Sequence, residues 1–199
     1  MTLHKPLILA SASPRRQEIL ELAGLTFTVC PAATEWAPAG LAPYDRVREL
    51  ARSKAEQVAA NYPNSLVLGS DTMVVLNDRA MGKPHSEAAA VQMLLSLQGR
   101  THQVMTGVWL VETDGEGKFV KGNGFTDVAE VRFFPFGQEE AAEYVATGEP
   151  MDKAGAYAAQ GKGMRFVEGI KGDFFTVMGL PGGSLLRFFS DFSADKEKL

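Results

Sequence analysis

Cys30 is the sole cysteine among 199 residues, so an internal disulfide cannot form and a reducing compartment fits. With no thiol-activating partner beside it, Cys30 reads as a small buried apolar residue. Long hydrophobic runs are also missing near the start. Leu7 to Ala10 is a four-residue run, too short for a signal-peptide core or a membrane span, so a cytoplasmic protein with no membrane partner is expected. Positive charge is in short supply: 20 Lys and Arg against 24 Asp and Glu leave a net charge of -4. That balance gives no general attraction to nucleic acid or anionic lipid, and any bound anion must meet a local cluster. Neither a Gly-x-x-x-x-Gly-Lys-Ser/Thr phosphate loop nor a Gly-x-Gly-x-x-Gly fingerprint occurs, which removes support for a P-loop motor or a Rossmann dehydrogenase. His4, His85 and His102 lack metal-ligand spacing. A metal cofactor would therefore be a hard, carboxylate-bound divalent cation such as magnesium or manganese.

With 45% hydrophobic residues, the chain can bury one core or two small lobes, and its length favours one domain over 1–199. Apolar runs at Leu7 to Ala10 and Leu66 to Leu68 alternate with helical patterns at Pro14 to Ala23, Tyr44 to Ala60 and Ser86 to Leu97, the layout of an α/β domain. Beyond Gln103, Val104 to Thr113 and Phe125 to Phe134 read as strands joined through Asp114 to Gly117. Its Asp-Gly pair is a hairpin signal, implying a mixed, partly antiparallel sheet. Gln138 to Ala146 reads as a helix, Phe174 to Val177 as a strand, Gly183 to Phe189 as a last helix and Ala194 to Leu199 as a charged, frayed tail.

Three places carry candidate chemistry. Ser11-Ala12-Ser13-Pro14-Arg15-Arg16 follows a strand and opens a helix, with Ser13 as N-cap and Pro14 in the first helical position. Free N–H groups at that helix end form an anion site. Arg15 and Arg16 oppose the helix dipole there unless a polyphosphate reverses the sign; a capped helix with two solvated arginines is the competing reading. Asp71 follows a buried strand, so it either faces a cleft at the strand's carboxyl end or turns the chain before Thr72 to Leu76. Lys54 falls within the apolar stripe of Val47, Leu50, Ala51 and Val58, so it faces inward, either snorkelling past the core or turning its ammonium toward a phosphate. Lys83, Lys153 and Lys162 lie in Gly-containing loops. Singly each reads as a surface charge, while together they suggest ligand approach.

These segments resemble the Maf-like nucleotide pyrophosphatases. The resemblance is carried by Ser11-Ala12-Ser13-Pro14-Arg15-Arg16, Arg52-Ser53-Lys54-Ala55, Gly69-Ser70-Asp71-Thr72, Gly82-Lys83-Pro84, Thr106-Gly107-Val108, Glu149 to Tyr157, Gln160-Gly161 and Gly179-Leu180-Pro181, in family order over nearly the whole chain. It implies an α/β fold of two lobes around a cleft, similar to inosine triphosphate pyrophosphatases, commonly as a homodimer. By this similarity Asp71 is the proton acceptor, and Ser11, Arg15, Arg16, Lys54, Lys83 and Lys153 bind the nucleoside triphosphate substrate. Glu35 joins Asp71 as a metal carboxylate, although the family often has two adjacent acids where this chain has one. Arg15, Thr72, Asp152 to Tyr157 and Gln160 match the branch acting on dTTP and UTP. A Gln amide, donor and acceptor together, suits the edge of uracil or thymine. The implied activity is hydrolysis of dTTP and UTP to the monophosphate and pyrophosphate, which would also clear modified pyrimidine nucleotides. Two readings stand beside it: a 7-methyl-GTP pyrophosphatase, and a nucleotide-sensing regulator of septum formation that does not hydrolyse. The acidic balance argues against nucleic acid as partner.

Overall fold

The computed structural model describes residues 3–194; the expected tail over 195–199 lies outside them. The chain is a mixed α/β fold built on one seven-stranded sheet, with strand order β2-β1-β3-β5-β6-β7 and β4 paired to β3. β1 (Leu7–Leu9) runs parallel to β2 (Phe27–Val29) and to β3 (Leu66–Leu76). β4 (Arg79–Met81), β5 (Thr101–Thr113), β6 (Phe119–Phe133) and β7 (Val167–Lys171) pair antiparallel with their neighbours. The β5–β6 hairpin closes where the sequence places it. Asp114 Oδ1 accepts from the Glu116 and Lys118 N–H groups, both at 2.9 Å, and Gly117 supplies a φ of 79°.

Side chains alternate between the two sheet faces. One face carries α2 (Pro43–Ala59), whose apolar stripe of Val47, Leu50, Ala51, Ala55 and Val58 is buried. The helix lies almost on the sheet backbone because β3 and β5 present glycine beneath it. A Cβ on Gly69 would stand 2.1 Å from the Ala51 carbonyl oxygen, and one on Gly107 would stand 2.4 Å from that of Val47. The opposite face carries two separate apolar clusters. Ile19 and Leu20 of α1 (Pro14–Leu22) join Leu9, Leu68, Leu110 and Phe189 in the first; Leu94 of α3 (Glu87–Leu97) and Tyr144 of α4 (Gln138–Val145) join Val104 and Phe133 in the second.

Two sequence expectations need correction. Phe174 to Val177 is not a strand but part of helix α5 (Phe174–Met178): Asp173 Oδ1 caps the Phe175 N–H at 2.9 Å, and Gly179 ends the helix at φ 117°. A four-residue apolar run has no readable period, and the cap and stop residues decide it. Leu66 to Leu68 and Thr72 to Leu76 are not separate segments: β3 runs through Asp71 without a turn, its backbone held by β5 from Leu66 to Val75. The last helix, α6 (Gly182–Ala194), is longer than the expected Gly183 to Phe189. Cys30 is a free, half-buried thiol against the apolar cluster of Ile8 and Val58.

Candidate active site

Asp71 owes its access to a break in the sheet edge. β5 covers one side of β3 from Leu66 to Val75, while on the other side β1 pairs only Leu66 to Leu68 and β4 only Val74 to Leu76. Gly69 to Met73 therefore border an opening, and Asp71 is its central residue. β1 ends at this opening: the Ala10 N–H donates to the Leu68 carbonyl at 2.8 Å, and the chain turns through Ser11 into α1.

On the α2 side, Lys54 Nζ lies 2.6 Å from Asp71 Oδ1 and 2.6 Å from Glu35 Oε2. The Lys54 and Asp71 side chains are 14% and 15% exposed, so the pair is shielded yet reachable from solvent. The inward turn of Lys54 is the one its helix position predicts, and its partners are carboxylates. Glu35 comes from the extended segment before α2, where Gln57 accepts from the Thr34 N–H at 3.1 Å and Ser53 from the Trp36 N–H at 3.2 Å. The Lys54 hydrogen bond, aided by the charges of Lys54, Lys83 and Arg16, holds the Glu35 carboxyl below the usual range against partial burial.

On the opposite side, Arg16 ties three segments together. Its Nε donates to the Gly179 carbonyl at 2.9 Å, Nη1 to Ser11 Oγ at 2.8 Å and Nη2 to Thr72 Oγ1 at 3.3 Å. Three of its five N–H donors are thus committed to protein. Desolvation lowers its pKa, while the Asp71 charge acts in the opposite direction. The competing picture of two solvated arginines fails for Arg16. Arg15 Nε donates to the Met178 carbonyl at 3.2 Å, and Arg15 contributes to keeping the Asp152 carboxyl below the usual range, behind the larger effect of Lys153. Ser13 takes the N-cap position, but its hydroxyl makes no cap bond; its N–H donates instead to Ser11 Oγ at 3.2 Å.

Several participating groups escaped the sequence reading. The Gly179 carbonyl also accepts from Ser70 Oγ at 3.0 Å, and Thr72 Oγ1 meets Thr106 Oγ1 at 3.0 Å, which donates to the Thr176 carbonyl at 2.8 Å. A buried polar chain therefore joins β3, β5 and α5 behind the opening. Gly179-Leu180-Pro181 signals a chain break in sequence, and nothing there shows that a carbonyl is the group in use. Lys83 is exposed after β4, close enough for its charge to act on Glu35. Lys153 Nζ pairs with the Asp152 carboxylate. Gln160 is half-buried in a turn closed by the Gly161 N–H on the Ala158 carbonyl at 3.1 Å. Among the described residues, the hydrogen bonds uniting Ser11, Arg16 and Thr72, and the ion pairs uniting Lys54, Asp71 and Glu35, do not extend to Lys83, Lys153 or Gln160.

Among the described residues no group of three or more His, Cys, Asp or Glu side chains could hold a metal ion. Two carboxylates nevertheless converge on one cation, the Lys54 ammonium. That donor set fits a hard divalent ion of the magnesium type, which takes one or two carboxylates and completes its shell with water and substrate phosphate oxygens. No described helix is long and apolar enough to cross a membrane.

Fold and site define a mixed α/β protein with an acid and a basic, hydroxyl-bearing cradle around a gap in the sheet. A family profile described as Maf-like protein matches residues 6–192. A Bacillus cereus protein (strain ATCC 10987) named dTTP/UTP pyrophosphatase is 44% identical over 192 residues, covering 96% of this chain and 92% of that protein. A Geobacillus protein (strain WCH70) of the same name is 46% identical over 178 residues, covering 89% and 92%. The chain belongs to the Maf-like protein family. The solved structure of the Staphylococcus aureus Ham1 protein aligns over 95% of this chain and 100% of that one, with a TM-score of 0.48 and 15% identity.

Proposed function

We propose that this chain hydrolyses dTTP and UTP to the nucleoside monophosphate and pyrophosphate. The observation that carries the reading is the near-complete match to relatives named for that activity, and the carboxylate at the centre of the sheet gap supports it. Asp71 acts as general base. It takes a proton from water as the water oxygen bonds to the α-phosphorus and the bond from that phosphorus to the bridging oxygen breaks, releasing pyrophosphate. Ser11, Arg15, Arg16, Lys54, Lys83 and Lys153 supply the hydroxyl and cationic donors for the phosphate chain. Each charged hydrogen bond is worth about 1.5 to 3 kcal/mol, and those that tighten as charge grows on the leaving oxygens favour the transition state. Thr72 and Gln160 face the selection of the base.

Glu35 and Asp71 are the residues that would hold magnesium or manganese. When bound, such an ion polarises the phosphoryl oxygen and screens charge. Lys54 keeps both carboxylates oriented and offsets half their charge, and on arrival of the triphosphate its ammonium can turn to a phosphate oxygen.

The test is product analysis with dTTP, UTP, the other common triphosphates and 7-methyl-GTP, with magnesium or manganese. UMP and pyrophosphate in equal amounts from UTP are expected. Release of inorganic phosphate with UDP, a stronger rate on 7-methyl-GTP, or binding without turnover would each replace this reading.

A further inference from the structure

Glu149 and Gly161 are conspicuous in the sequence but have no part in the hydrolysis described above. In the structure each accounts for the other. Glu149 opens a 3-10 turn (Glu149–Asp152) after α4, and its carboxylate reaches across to the loop that follows Tyr157. Oε2 accepts from the Lys162 N–H at 2.9 Å, and Oε1 from the Tyr144 hydroxyl at 3.1 Å, with the Gly163 N–H at 3.5 Å. The Tyr144 oxygen in turn accepts from the Ala158 N–H at 3.2 Å. A Cβ on Gly161 would stand 2.2 Å from Glu149 Oε1, so position 161 admits the carboxylate only because it has no side chain. One carboxylate thus gathers both ends of the 158–163 turn, directly and through Tyr144, which is itself 1% exposed. Gln160 rides on this turn.

Residues 152–155, which lead into this turn, lie against Gly82 and β3 beside the active-site opening. The Gly155 N–H donates to the Gly82 carbonyl at 3.1 Å beside Lys83, a Cβ on Gly155 would meet Val74 of β3 at 2.9 Å, and Asp152 feels the charge of Arg15.

We propose that Glu149 is a positioning residue for nucleobase selectivity: by clamping the Lys162 and Gly163 amides and the Tyr144 hydroxyl, it fixes the turn that presents Gln160. This rests on the pyrophosphatase reading. A half-buried carboxylate holding two backbone amides and a phenol defines the height and angle of a short turn, and a base reader needs that definition because a hydrogen bond weakens steeply with misalignment. Glu149 itself touches neither phosphate nor base.

The experiment compares Glu149→Ala, Glu149→Gln, Gln160→Ala and the double variant Glu149→Ala/Gln160→Ala, reading kcat and KM for UTP and for GTP. Amide exchange at Lys162 and Gly163 is followed in the two single Glu149 variants. Glu149→Ala should lower the UTP preference by about tenfold, the scale of one lost hydrogen bond to a charged group. The loss should fall on KM, with faster exchange at both amides. Glu149→Gln, which keeps the acceptor oxygen, should recover part of the preference and serves alone if the alanine variant does not fold. The double variant should lose no more than Gln160→Ala, as expected of residues acting through one another. Unchanged preference in both Glu149 variants, a loss confined to kcat, or additive losses would overturn the proposal. So would a full preference in Gln160→Ala. In each of those cases pyrophosphate release by the unaltered chain still stands or falls separately.

Discussion

At the scale of single residues, the site divides into groups that do chemistry and groups that hold them. In the proposed reaction Asp71 belongs to the first kind: it lies in the gap between β1 and β4 and shares the Lys54 ammonium with Glu35. Asp71→Asn keeps the shape but cannot accept a proton, so kcat should fall by about 10²- to 10⁴-fold, the usual worth of a general base. Triphosphate binding, measured by calorimetry without turnover, should change far less. In the same proposal Arg16 belongs to both kinds. With Nε on Gly179, Nη1 on Ser11 and Nη2 on Thr72, Arg16→Lys keeps the charge and loses the fork that reaches three segments at once. The variant should be less stable by about 1 to 3 kcal/mol in urea unfolding, through the loss of hydrogen bonds that join three segments, and should show a raised KM. Unchanged stability with a raised KM would assign Arg16 to substrate alone.

At the scale of elements, the geometry depends on how closely α2 approaches the sheet. Gly69 and Gly107 lie directly under the Ala51 and Val47 carbonyls, and Lys54 stands on the same helix. Gly69→Ala or Gly107→Ala should push α2 outward, cost about 1 to 3 kcal/mol as overpacking does, and slow turnover by drawing Lys54 off Asp71. Gly183→Ala is the control. Nothing lies within 4 Å of a Cβ at Gly183 inside α6, so it should be neutral or stabilising by about 0.5 to 1 kcal/mol. These elements also show what the chain makes legible. The buried stripe of α2 and the β5–β6 hairpin follow from periodicity and from Asp114-Gly115, and so the inward turn of Lys54 is readable as well. The short strands Phe27–Val29, Arg79–Met81 and Val167–Lys171 carry too few residues for any period and exist through their pairing. The gap beside Asp71 arises from where two neighbours stop, a property of pairing over long separations that leaves no local mark. Ser11, Arg16 and Thr72 meet because the Gly179 turn, from the far end of the chain, lies behind them.

At the scale of the molecule, two apolar clusters share one sheet face, and the second contains an unusual core histidine. His102 is 2% exposed, its Nε2 is 2.8 Å from the Tyr157 hydroxyl, its ring meets Phe133 edge-on at 4.8 Å, and its Nδ1 has no hydrogen-bond partner among the described residues. Burial pushes its pKa down to about 4. In the unfolded chain the same imidazole takes its proton near 6.5. Between those values the unfolded chain binds more protons than the folded one, so stability falls as pH drops from about 6.5 to about 4 and is independent of this group above that window. The loss from His102 is at most about 3 to 4 kcal/mol, the product of the pKa difference and the free energy per unit. Tyr157 continues from the segment carrying Asp152 and Lys153, so weakening this cluster loosens the anchor of that segment. His102→Phe removes the titrating group. Although it costs about 1 to 3 kcal/mol at every pH by leaving the Tyr157 hydroxyl unpaired, its urea-unfolding free energy should decline less between pH 6.5 and 4 than that of the unaltered chain. Parallel declines for the two proteins would place the acid sensitivity elsewhere, in carboxylates held below the usual range such as Glu35 and Asp152.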